Sequence, residues 1–122
     1  MTLVDHLRTE LRGAMKARDR AAVAALREAI AAIANAETGL VSDSATTQTL
    51  SEHVAGAAAA GRAERIVREQ TDDEMATLAR ALVAERRAQA DHLRELGRPE
   101  AADALAAEAD ALTIRLDAYP GS

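Results

Sequence analysis

Five cations near the start of the chain come closest to a chemical motif. Arg8, Arg12 and Lys16 recur at i, i+4 and i+8, which on a helix makes one ridge, and Arg18 and Arg20 continue it. Two readings fit that pattern: a solvated helix face, or a ridge that meets phosphates from a rigid surface. The other side chains that could do chemistry are scattered. His6, His53 and His92 lie far apart without H-E-x-x-H or other paired spacing, so no metal centre is expected. Ser42, Ser44, Ser51 and Ser122 sit in no G-x-S-x-G setting, and the Gly/Ala run lacks a G-x-x-x-x-G-K-[ST] phosphate loop. The Glu-x-x-His pattern of a metal–carboxylate bundle is absent. With no cysteine, disulfides, thiolate ligands and a thiol nucleophile are excluded. Neither a catalytic residue nor a cofactor is expected.

The chain that must position these groups is 122 residues long, one domain's worth, with a thin core. Apolar residues make up 48%, but 32 of them are Ala, and Leu, Val, Ile, Met and Tyr supply 27. At roughly 25 cal/mol per Å² of apolar area the burial is modest. Ala's helix propensity offsets part of that weakness, and Ala-faced helices are expected to approach closely. The net charge of -5 argues against a general electrostatic nucleic-acid binder. The charge is uneven, with six Lys/Arg against four Asp/Glu in residues 1–35 and nine against sixteen in the remainder. No apolar run suits a membrane span or a signal peptide, which leads to an expectation of a cytoplasmic protein with no membrane partner.

Periodicity predicts an all-α, four-helix domain of two hairpins, over about 3–18, 20–37, 72–96 and 99–117, with residues 39–70 as a long mobile connection. Thr2 can cap the first helix, whose stripe is Val4, Leu7, Leu11 and Met15. The stripe of the second is Val23, Leu26, Ile30 and Ile33, rotated from the first, so a break capped by Asp19 turns both onto one core. Arg27 and Glu37 flank that stripe as expected half-buried ion-pair partners. GLVSDSATTQT reads as loop, with Ser51 as a possible start of further helix. Thr71-Asp72-Asp73-Glu74 matches a capping box for the third helix. Met75, Leu78, Leu82, Leu93 and Leu96 are its expected stripe, with Ala79 and Val83 beside it and Arg86 interrupting. Gly97 ends it, and Pro99 opens a fourth helix with the stripe Ala102, Leu105, Ala109, Leu112 and Leu116. Across this antiparallel pair Arg86 comes level with Glu108, and an ion pair is expected there, shared with Arg87.

The order of these segments resembles that of a known family. Leu11-x-x-Ala-Met-Lys-Ala-Arg-Asp19, then Leu26-Arg27 through Ala-Ile33-Ala-Asn35-Ala-Glu37, is similar to the opening of the GatB/YqeY family. Thr71 to Met75 with Ala84-Glu-Arg-Arg87 resembles its third helix, and Leu96-Gly-Arg-Pro-Glu-Ala-Ala-Asp-Ala-Leu105 with Glu108 and Leu112 its fourth. Gly56 to Arg65 is similar to a Gly/Ala-rich linker of some members. The resemblance implies a non-catalytic module like the tRNA-contacting region of the GatB amidotransferase subunit, whose enzyme amidates Glu or Asp already charged on tRNA. The family's naming as a carbon–nitrogen ligase with glutamine as amido donor has no catalytic counterpart here. The family's small three-helix C-terminal subdomain is expected to be absent, because the chain stops at Tyr119-Pro120-Gly121-Ser122. The implied partners are tRNA or an amidotransferase complex. The alternative is a protein partner or self-association through Ala-rich helix faces.

Overall fold

The structure, a computed structural model, describes the backbone of residues 1–51 and 70–120 and the side chains of 1–37 and 70–120. Among the described residues are four helices, α1 Leu3–Ala17, α2 Arg20–Ser51, α3 Asp72–Glu95 and α4 Pro99–Asp117, and no strand. Residues Met1–Ile33 with Asp72–Ser122 form one compact unit, and Ala34–Thr71 form a second.

The first unit begins with a reciprocal cap. The Thr2 hydroxyl accepts from the Asp5 N–H, and the Asp5 carboxylate accepts from the Thr2 N–H. α1 ends on Arg18, held in the left-handed region at φ 59°, with the Arg18 N–H on the Met15 carbonyl and the Asp19 N–H on that of Ala14. Asp19 then caps α2, its Oδ1 accepting from the Ala22 N–H at 3.1 Å. The same closure recurs after α3, where Gly97 at φ 77° lets the Arg98 N–H reach the Leu93 carbonyl at 2.8 Å. Both hairpin turns therefore sit where capping chemistry changes in the sequence.

The α3–α4 hairpin carries its register in its charges. Arg80, Arg87 and Arg94 meet Asp117, Asp110 and Asp103 at 2.8, 3.3 and 3.2 Å. Each series steps by seven residues in opposite directions along the chain, which makes the two helices antiparallel with a heptad rung.

The core is largely alanine. Nine of the eighteen buried apolar residues among the described ones are Ala, and Leu3, Leu7, Leu26, Ile33, Leu112 and Leu116 are its largest fully buried members. The inward face of α2 is centred on Ala22, Ala25, Leu26, Ala29 and Ile33, while Val23 and Ile30 pack at its margin. On α3 the buried line is Met75, Ala79, Val83, Arg86 and Ala90. The expected leucines of that helix are displaced: Leu78 and Leu82 flank the core and Leu96 is 59% exposed. On α1, Met15 leaves its expected stripe and is 50% exposed. The reason is common to all three helices. Small Ala side chains let backbones approach closely, and the wider leucines are then accommodated beside the contact line.

The expected loop after residue 37 is corrected over its first part, since α2 continues unbroken to Ser51, its last residue. No Pro stops it, and Gly39 costs only about 1 kcal/mol in a helix already nucleated. In the second unit Glu37 accepts from the Gln70 N–H at 3.4 Å, a backbone hydrogen bond in place of the expected ion pair. Residues 52–69, including His53 and the Gly56–Arg65 stretch, lie outside the described residues.

Substitution at the α1–α2 turn should separate cap from strain. Asp19→Ala should lower stability by about 1 kcal/mol in urea denaturation. Arg18→Gly should raise it by up to about 1 kcal/mol, because glycine relieves the left-handed backbone.

Candidate functional site

Three groups of polar side chains stand out, and geometry separates structural ones from those free to bind. The first is centred on Arg86, which is 5% exposed. Its Nε donates to Glu108 Oε1 on α4 at 2.9 Å, and its Nη2 donates to Glu28 Oε2 on α2. Arg86 and Glu108 are thus brought together, and Glu28 is a partner that pattern reading missed. Arg87 stays out of this network, donating instead to Asp110 Oδ1 and Thr113 Oγ1, each at 3.3 Å. Burial opposes the charge on Arg86, but the bonds to Glu108 and Glu28 outweigh it and hold its pKa above the ordinary value. With every charged neighbour engaged, this cluster joins helices and offers no reactive atom.

The second group lies where the starts of α1 and α3 meet the end of α4. The Tyr119 hydroxyl donates to Asp72 Oδ2 at 2.6 Å and lies 3.0 Å from the Met1 carbonyl, and Asp72 Oδ1 accepts from the Leu3 N–H at 2.9 Å. His6 stacks obliquely on Tyr119, ring centroids 5.2 Å apart, and its Nε2 is 3.0 Å from the Arg115 carbonyl. Because a carbonyl only accepts, His6 carries its proton on Nε2 there. A cavity of about 230 Å³ lies alongside, lined by Leu3, Asp72, Asp73, Ala76, Arg80 and Tyr119 among others. The bond to Asp72 and burial push the Tyr119 hydroxyl up to about 12. The same phenol, with the Leu3 N–H, holds Asp72 below its usual value. A phenol held neutral this firmly is a poor acid or base near pH 7, so the cluster is a clamp across three helix ends.

The third group is the basic edge. Arg8, Arg12, Lys16, Arg18 and Arg20 are all exposed. Arg8 lies 3.7 Å from Asp5, and Arg12 donates to the Thr9 hydroxyl at 3.1 Å. Lys16, Arg18 and Arg20 have no carboxylate partner among the described residues. Arg27, expected to be half-buried and paired, is instead exposed, and it too has no carboxylate partner among the described residues. With Arg18 and Arg20 it borders an open groove of about 540 Å³ whose apolar lining is Met15, Val23 and Ala24. The cause lies in the neighbouring carboxylates, each committed elsewhere: Asp5 to the α1 cap, Asp19 to the α2 cap, Glu28 to Arg86, and Glu10 beside Arg115 at 3.9 Å. Pattern reading found the ridge but not the groove, because Met15 appeared as a core residue.

Among the described residues no group of His, Asp or Glu is placed to hold a metal ion, and no helix is long and apolar enough to cross a membrane. Comparison of the chain with protein-family models, with curated proteins and with solved structures finds no match.

Two measurements check the structural assignments. Arg86→Ala should cost about 3 kcal/mol, because it strands a half-buried Glu108, while Glu28→Ala should cost about 1 kcal/mol or less. Equal losses in urea denaturation would show that Arg86 is not an inter-helix node. For the clamp, the unfolded phenol ionises near 10 and the folded one near 12. Folding stability should therefore be intact below pH 10 and fall as pH rises through 12. Since the chain has one Tyr, phenolate absorbance reads this group alone, and Tyr119→Phe should remove its part of the alkaline slope. Asp72 acts at the other end: its contribution should be present above 3.8 and disappear as pH falls below that value.

Proposed function

We propose that this chain is a non-catalytic binding module that contacts tRNA, in the setting of aminoacyl-tRNA amidation, through the basic edge of α1 and its turn into α2. One observation carries the reading: Lys16, Arg18 and Arg20 are exposed at one place and without a carboxylate partner among the described residues, on a chain of net charge -5. Cations on a rigid helix meet phosphates at fixed spacing, and Arg8 and Arg12 extend the line. The similarity of Leu11–Asp19 and Leu26–Glu37 to the GatB/YqeY pattern supports the choice of tRNA. Recognition would be by shape and charge, because the chain's one aromatic residue, Tyr119, is buried and no platform exists to stack bases. The rival reading, a protein-interaction module or homo-oligomer using Ala-rich faces, has less support. Ala22, Ala25, Ala29, Ala79, Ala102 and Ala109 are consumed in the core.

The test is tRNA binding over a series of salt concentrations, for the parent and for Arg12→Glu/Lys16→Glu. The parent should bind at low salt, with affinity falling as salt rises, and the double variant should reduce the log–log slope by about two units. A parent that fails to bind at low salt, or a variant with an unaltered slope, overturns the reading.

A further inference from the structure

The groove beside the α1–α2 turn has a composition that a phosphate ridge does not require. Its floor is a thioether and two aliphatic side chains, Met15, Val23 and Ala24, and its border is three guanidinium groups, Arg18, Arg20 and Arg27. We propose that this groove is the docking site for an acidic amphipathic helix of a partner protein, which lays an apolar stripe on Met15 and Val23 and sets carboxylates against the three arginines.

Charge decides the sign of the partner. All four carboxylates of residues 1–35 are engaged in caps or lie against Arg86 or Arg115, so among the described residues no carboxylate neutralises Arg18, Arg20 or Arg27. Guanidinium forks bind carboxylates in two-point fashion and give up hydration more readily than an ammonium would. Spacing decides the shape. Arg20 and Arg27 lie seven residues apart on one helix, about 10 Å along its axis at 1.5 Å per residue. Carboxylates at i and i+7 of a partner helix have the same separation and share a face, and the residues at i+3 and i+4 between them would supply the apolar stripe. The floor fits this occupant better than a nucleic acid. Met15 is 50% exposed, unbranched and adaptable, suited to receiving Leu or Ile, whereas a base would call for an aromatic or planar surface that the floor lacks.

The three methionines make the test direct. Met15 lies on the groove, Met75 is 3% exposed in the core, and Met1 is at the chain start, so methyl-labelled protein reports occupancy and integrity together. The probes are a synthetic helix-forming peptide with Leu at alternating third and fourth positions and Glu elsewhere, a scrambled peptide of identical composition, and tRNA. The amphipathic peptide should shift the Met15 methyl signal and leave that of Met75 in place. It should bind at least tenfold more tightly than the scrambled one. Arg20→Glu/Arg27→Glu, with the Met75 signal unchanged as evidence of folding, should weaken the peptide at least tenfold, and Arg12→Glu/Lys16→Glu should not. Equal binding of the two peptides, an unmoved Met15 methyl, or a Met15 methyl moved by tRNA alone overturns the proposal. Arg18 and Arg20 serve both readings, so the two are told apart by ligand: salt-dependent tRNA binding without discrimination between the peptides overturns the docking site alone, and peptide discrimination without tRNA binding overturns the tRNA reading alone.

Discussion

A guanidinium kept inside a core made half of alanine is the constraint on which this helical unit depends. Alanine removes little area from water, so apolar burial alone discriminates weakly between ways of packing such helices. Arg86 supplies the discrimination. Its place on the inward line of α3 is tolerable because α4 delivers Glu108, with the more exposed Glu28 of α2 as a second partner, and a slip of α3 against α4 would leave the guanidinium without its buried partner. The clamp of Tyr119 on Asp72, with its hydroxyl beside the Met1 carbonyl, acts similarly at the other end, where polar bonds fix how the buried Leu3, Met75 and Leu116 meet.

What could be read from the sequence followed from signals local to one helix. Thr2 and Asp19 mark boundaries because their side chains satisfy backbone N–H groups, Gly97 because it takes the left-handed turn, and Pro99 because it needs no N–H partner in a first turn, and the structure starts or ends helices there. The all-α class and the two hairpin turns came from the same source. The core faces were harder. A stripe drawn through the largest apolar residues passes over Leu82 and Leu96, whereas the buried line runs through Met75, Ala79, Val83, Arg86 and Ala90, with Leu96 turned to solvent. In an alanine-rich helix the smallest residue marks the contact, which inverts the usual weighting by hydrophobicity. The extension of α2 beyond residue 37 was missed for another reason: Ser and Thr weaken a helix only slightly, and one that is already propagating runs through them.

The candidate site was partly legible for a similar reason. Exposure of Arg8, Arg12 and Lys16 follows from periodicity, but whether a surface cation is free depends on what its neighbours are doing. That Asp19 is spent on a cap and Glu28 on Arg86 is knowledge of the third dimension, and it turns Arg20 and Arg27 from ordinary surface charge into a border without counter-charge among the described residues. The signal that could have found Glu28 is its place near the inward face of α2, beside Ala25 and Ala29.

The heptad rungs of the α3–α4 hairpin have a consequence for what this surface refuses. Every cation of the series, Arg80, Arg87 and Arg94, stands on α3, and every anion, Asp103, Asp110 and Asp117, on α4. Each exposed rung adds little to stability. Yet if two copies met α3 against α3, arginine would face arginine, and α4 against α4 would oppose aspartate to aspartate. The segregation of sign therefore penalises symmetrical coupling of like helices between molecules while costing the folded hairpin nothing. Between copies, the same charges would leave only unlike helices, α3 against α4, free of this repulsion.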